Sequence, residues 1–105
     1  MILFVNDERL DTELALREWE ETQEWVKDQL LGRITRHPTQ RERLYELKDG
    51  RYLVVTRYRN VDGTYEYGGS FLSNRQAAAW LDLNRQTAPG ILHQQMLQLE
   101  PAYAD

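Results

Sequence analysis

Between about Asp11 and Leu31, apolar residues recur at Ala15, Trp19, Val26 and Leu30 with Thr22 between them, in steps of three and four that trace one helical face. The opposite face holds Glu13, Arg17, Glu20, Glu21, Glu24 and Asp28, and Glu13 and Glu24 are spaced to pair with Arg17 and Lys27. Gly32 can take a left-handed C-terminal cap. The spacing predicts a long amphipathic helix over 11–31. Before it, the apolar run Met1–Val5 is too short for a signal-peptide core or a membrane span, and reads as a lead-in or a short edge strand over Ile2–Val5. After it, residues 33–41 show neither period and contain Pro38, which restricts His37, so they read as a basic connecting loop. Thr39 and Glu42 have capping-box spacing, which leaves room for a helical turn.

From Arg43 the pattern becomes strand-like. Two Asp-Gly pairs, Asp49-Gly50 and Asp62-Gly63, lie between runs rich in Tyr, Val, Leu and Thr, and predict type I′ turns in a three-stranded antiparallel meander of 43–48, 51–61 and 64–71. Counting outward from two-residue turns sorts the side chains onto two faces. One collects Tyr45, Leu47, Tyr52, Val54, Thr56, Tyr58, Tyr65, Tyr67 and Phe71. The other collects Leu44, Glu46, Lys48, Arg51, Leu53, Val55, Arg57, Arg59 and Glu66. A helix over 73–84 follows, opened by a Ser73/Gln76 capping box and a Leu72/Ala77 staple, with Ala77, Trp80 and Leu81 as its buried stripe. Pro89-Gly90 opens a weaker helix over 90–99, and 100–105 is a tail. The expected fold is a single α+β domain over 1–105: long N-terminal helix, three-stranded meander, packing helix and short C-terminal helix.

Charge changes this picture more than bulk composition does. Residues 1–31 carry nine acids against three bases, residues 33–59 eight bases against three acids, and the remainder five acids against two bases, for a net −4. Such a chain can set a basic surface beside an acidic one. With no cysteine there is no disulfide framework and no thiolate metal site, and the cytoplasm is the expected compartment.

Candidate chemistry is sparse. The two histidines, His37 and His93, have no acid or second histidine at ligand spacing, and no nucleophile elbow, zinc-protease motif, phosphate loop or dinucleotide fingerprint occurs. No catalytic residue, metal, cofactor or small-molecule substrate is therefore inferred, and the chain reads as a non-enzyme. Gly68-Gly69-Ser70 reads as a bulge or a close approach by Trp80 rather than a ligand loop. The tyrosines read as core under the packing helix rather than as base-stacking platforms. The basic set Lys48, Arg51, Arg57 and Arg59, with Arg36 and Arg41 on the approach, could bond phosphates from an outer sheet face. If the first helix covers Leu53 and Val55, that face is scaffold and cannot enter a groove.

Within 43–84, the runs Gly50-Arg51-Tyr52-Leu53-Val54-Val55, Gly69-Ser70-Phe71-Leu72-Ser73 and Gln76-Ala77-Ala78-Ala79-Trp80 resemble the three-strand-plus-helix DNA-binding domains of plant ethylene-response factors and the arm-site-binding domains of phage integrases. The resemblance implies a sheet laid in the major groove, with Arg51, Arg57 and Arg59 facing DNA. The layout Leu44-Tyr45, Gly50-Arg51-Tyr52, Leu72-Ser73 and Ala77 to Leu81 is also similar to that of short uncharacterised bacterial, plasmid and phage proteins, and implies no function. The resulting expectation is a small non-catalytic interaction or regulatory protein. Its tools are the exposed sheet edges, the acidic carboxylates Glu20 and Glu24, and Trp19 and Trp25 as anchors for a protein partner or a second copy. DNA binding through the basic face is the alternative, and no membrane association is expected.

Overall fold

The computed structural model describes residues 1–22 and 40–97. Its strands are β1 (Ile2–Val5), β2 (Glu8–Asp11), β3 (Arg17–Glu20), β4 (Gln40–Glu46), β5 (Tyr52–Arg59) and β6 (Tyr65–Leu72), followed by helices α1 (Asn74–Leu83) and α2 (Gly90–Leu97). A short 3-10 turn, Thr12–Leu14, joins β2 to β3. Three layers result: the β1–β2 hairpin, an antiparallel four-stranded sheet in the order β3-β4-β5-β6, and the two helices.

The fold is mostly β, and the expected long N-terminal helix is overturned: residues 8–11 and 17–20 are strands, and the remainder of the expected helix, from residue 23, lies outside the described residues. Two pairings explain the replacement. Asn6 and Asp7 both take positive φ, 51° and 66°, so a two-residue turn joins β1 to β2 with Val5 opposite Glu8. In β3, Arg-Glu-Trp-Glu alternates in strand fashion and matches β4 charge for charge, with Arg17 opposite Glu46 and Glu20 opposite Arg43. Tertiary pairing overrides a helical period carried by few strongly apolar residues. β3 thereby turns the expected three-stranded meander into a four-stranded sheet.

The meander's strands and order are as expected, but its register is shifted by one residue. Both Asp-Gly pairs form three-residue loops rather than type I′ turns. Leu47 N donates to Arg51 O at 2.8 Å and Gly50 N to Leu47 O at 3.0 Å; Asn60 N donates to Thr64 O at 2.8 Å and Gly63 N to Asn60 O at 3.0 Å. Gly50 and Gly63 close the loops at φ 90° and 88°. Asp49 and Asp62 Oδ1 accept from the backbone N–H of Arg51 and Thr64, fixing each loop from its own side chain. One residue of slip exchanges the faces of β4 and β6 relative to β5.

The resulting faces differ from the expected aromatic and basic pair. Leu44, Tyr52 and Val54, with Trp19 and Leu72, pack against Ala77, Ala78, Trp80 and Leu81 of α1, and against Ala88 and Leu92. Tyr45, Leu47, Leu53 and Val55, with Phe71, pack against Leu3, Val5 and Leu10 of the hairpin. The Ser73 capping box is present: Ser73 Oγ accepts from Gln76 N at 3.1 Å, and Ser73 N donates to Gln76 Oε1 at 2.8 Å. Among the described residues no helix is long and apolar enough to cross a membrane.

Candidate interaction surface

The hairpin divides the sheet face it covers. Over one half it roofs Leu53 and Val55, which are buried, and Arg51 is consumed in holding it down. Arg51 Nη1 donates to Glu8 Oε1 at 2.7 Å, Arg51 Nε to Asp49 Oδ2 at 2.8 Å, and the guanidinium lies 4.5 Å from the centre of the Phe71 ring. The hydrogen bonds from Arg51 hold the Glu8 and Asp49 carboxyls below their usual range and raise the Arg51 pKa in turn. Gly69 admits the roof: a Cβ there would lie 2.7 Å from Leu3 Cδ1 and 2.7 Å from Val5 Cγ2. The glycine serves close approach, as expected, but by β1 rather than by Trp80.

The uncovered half of this face interleaves arginine with tyrosine, because the true register sets Arg57 opposite Tyr67 and Arg59 opposite Tyr65. The Arg57 guanidinium sits 4.7 Å from the Tyr65 ring centre. Arg57 and Arg59 are exposed and have no ion pair among the described residues. Arg41 stands opposite Arg57. Arg43 is bound by Glu18 and Glu20 of β3. A cleft of about 320 Å³ opens here, lined among others by Arg41, Arg43, Arg57, Tyr45 and Tyr67, and by the carboxylates of exposed Glu20 and buried Glu21.

β6 supplies the other half of the candidate surface. It is an eight-residue edge strand with one neighbour, β5, among the described residues. Because Asn60 N bonds Thr64 O, alternation along the ladder turns the backbone of Glu66, Gly68, Ser70 and Leu72 toward β5. The N–H and C=O groups of Tyr65, Tyr67, Gly69 and Phe71 therefore point outward. The strand contains no proline, lysine or arginine, the residues that usually blunt an edge, and Tyr65 and Tyr67 are about half exposed at 48% and 49%. The opposite edge differs: β3 is four residues long, and its Arg17, Glu18 and Glu20 are tied to Glu46 and Arg43.

The residues singled out from the sequence scatter. Trp19 is half-buried on β3 and packs into the helix-side core, so it is not an exposed helical anchor. Glu20 is exposed on β3 and bonded to Arg43. Lys48 is exposed in the β4–β5 loop. Trp25, Glu24 and Arg36 lie outside the described residues. Arg57, Arg59 and Arg41 are brought together; Arg51 is separated from them by the roof. Tyr65 and Tyr67, assigned to the core from the sequence, prove to be surface residues beside them. Their signal was available: the last strand of a meander is an edge, and an edge strand with Tyr at alternate positions and no lysine or proline is unprotected. Among the described residues no group of three His, Asp or Glu is placed to hold a metal. Compared with known proteins, the chain matches no family model, no curated protein and no solved structure.

Proposed function

We propose that this protein is a non-catalytic interaction module that binds an extended protein segment by adding it as a strand to β6. The observation that carries the reading is the set of outward backbone donors and acceptors at Tyr65, Tyr67, Gly69 and Phe71 on a long edge without blocking residues. Strand addition draws affinity from main-chain hydrogen bonds and specificity from alternate side chains. Here Tyr65 and Tyr67 would flank the incoming chain, with the Arg57 guanidinium beside them on the same face. The test is capture of a bound protein by wild type and by Tyr67→Pro. The substitution removes one outward N–H and no β5–β6 ladder bond. Capture lost in Tyr67→Pro and kept in Leu83→Lys, on the exposed side of α1, supports the reading; equal capture by both contradicts it.

DNA binding is the second reading, and the exposed, unpaired Arg57 and Arg59 are what favour it. The roof over Leu53 and Val55 weighs against it, since a groove-filling sheet face must be open along its length. Light scattering with mixed duplex DNA at low salt separates the two. The preferred reading predicts no gain in mass, whereas a gain that salt reverses and Arg57→Ala with Arg59→Ala removes would favour DNA.

A further inference from the structure

We infer that the cleft beside the hairpin is a binding site for a small organic monoanion, a carboxylate carried on an apolar or aromatic body; the inference stands whether or not β6 accepts a strand. One rung of the sheet builds it: Arg41, Arg57 and Tyr67 lie side by side across β4, β5 and β6, and all three line the cleft. Arg41 and Arg57 are directly opposed, which sets their Cβ atoms about 5 Å apart, and like charges at that spacing destabilise a strand pair. An oxyanion held between two guanidinium groups turns the repulsion into charge-assisted hydrogen bonds.

The Arg57 guanidinium is presented for that contact. It lies over the Tyr65 ring at 4.7 Å, and such stacking uses the face of the group while its N–H fork, which lies in the plane, stays available to a carboxylate. No ion pair among the described residues takes Arg57. Val55, opposite Arg43 on the next rung, and the Tyr45 ring give the body of a ligand an apolar place to rest. The cleft, at about 320 Å³, lies at the small end of the range for ligand sites, about 300–1,000 Å³, and so suits a single-ring acid.

Charge narrows the class further. Arg43 is bound by Glu18 and Glu20, and the Glu42 carboxylate turns to the helix side, where Oε1 accepts from Trp80 Nε1 at 2.9 Å. Of the remaining charged lining, Arg41 and Arg57 stand against the buried Glu21, a surplus of one positive charge that matches a carboxylate better than a phosphate dianion.

NMR titration of the full chain with sodium benzoate, against sodium chloride at equal ionic strength, tests this through the Arg57 Nε–H and the amides of Arg41, Val55 and Tyr67. Benzoate should shift these signals saturably, and chloride should not. Arg57 is exposed, so Arg57→Gln should fold as wild type by circular dichroism and weaken benzoate binding about tenfold or more. Arg59→Gln, on the same face but not lining the cleft, should change it less than about twofold. Phenyl phosphate at about pH 8, where it is a dianion, should bind more weakly than benzoate. No saturable shift with benzoate, or one that Arg57→Gln leaves unchanged, overturns the inference; tighter binding of phenyl phosphate overturns the carboxylate assignment. Strand capture is read separately through Tyr67→Pro, so either reading can fail without the other.

Discussion

Single residues fix how the layers meet, and two of them carry sharp predictions. Asn84 is fully buried where α1 ends; its Oδ1 accepts from Thr22 N at 2.9 Å, and its Nδ2 donates to Trp80 O at 2.8 Å. It ties the chain leaving β3 to the helix layer. Asn84→Ala strands a part-buried backbone N–H, and the expected cost is about 1–3 kcal/mol in urea denaturation. Gly69→Ala places a methyl against Leu3 and Val5 and lifts the roof. About 1–3 kcal/mol is expected there, with Phe71 and Arg51 more exposed; a change under about 0.5 kcal/mol would mean the hairpin does not rest on Gly69. Local chemistry of this kind was partly legible. The Ser73/Gln76 box depends on neighbours in sequence and is found as read. Asn84 looked like an ordinary helix end, because its partner, Thr22, is 62 residues away.

At the scale of elements, charge decides what apolar periodicity left ambiguous. The division into acidic and basic segments was legible, but much of it is neutralised across pairs rather than set out as a basic surface beside an acidic one: β3 meets β4, and Glu8 of β2 meets Arg51. Trp19 lies in an alternating Arg-Glu-Trp-Glu run that fits a strand as well as a helix, and only β4 alongside resolves the choice. The turns show the same limit, since Asp-Gly serves both loop lengths and one residue of difference reassigns every side chain. The roof's hold is pH-dependent. Glu8 and Asp49 have folded pKa values below their usual 4.5 and 3.8, so their contribution is complete above the usual range and is lost as pH falls through the depressed folded values. The thermal midpoint should therefore drop in acid below about pH 4, and Arg51→Met should flatten that drop. An identical acid profile in the variant would show that the Arg51 cluster does not hold the hairpin.

For the whole molecule, two cores on one sheet leave few surfaces available for binding. The helices take one face, the hairpin takes half of the other, and β3 is a four-residue edge strand tied to β4 by ion pairs. Of the described sheet, what remains uncovered is contiguous: the β6 edge and the Arg57–Tyr65–Tyr67 patch beside it. Exposed sheet edges were legible as a tool; which edge, and which side chains flank it, required the fourth strand and the true register. The measurement that tests the central claim most directly is amide hydrogen exchange at Tyr65, Tyr67, Gly69 and Phe71 in the free protein and in its complex with a captured partner. Strand addition to β6 predicts that these outward amides exchange quickly in the free protein and gain protection together on association, while those of Glu66 and Gly68 are protected throughout. Association that protects a different surface and leaves these four exchanging quickly would contradict it.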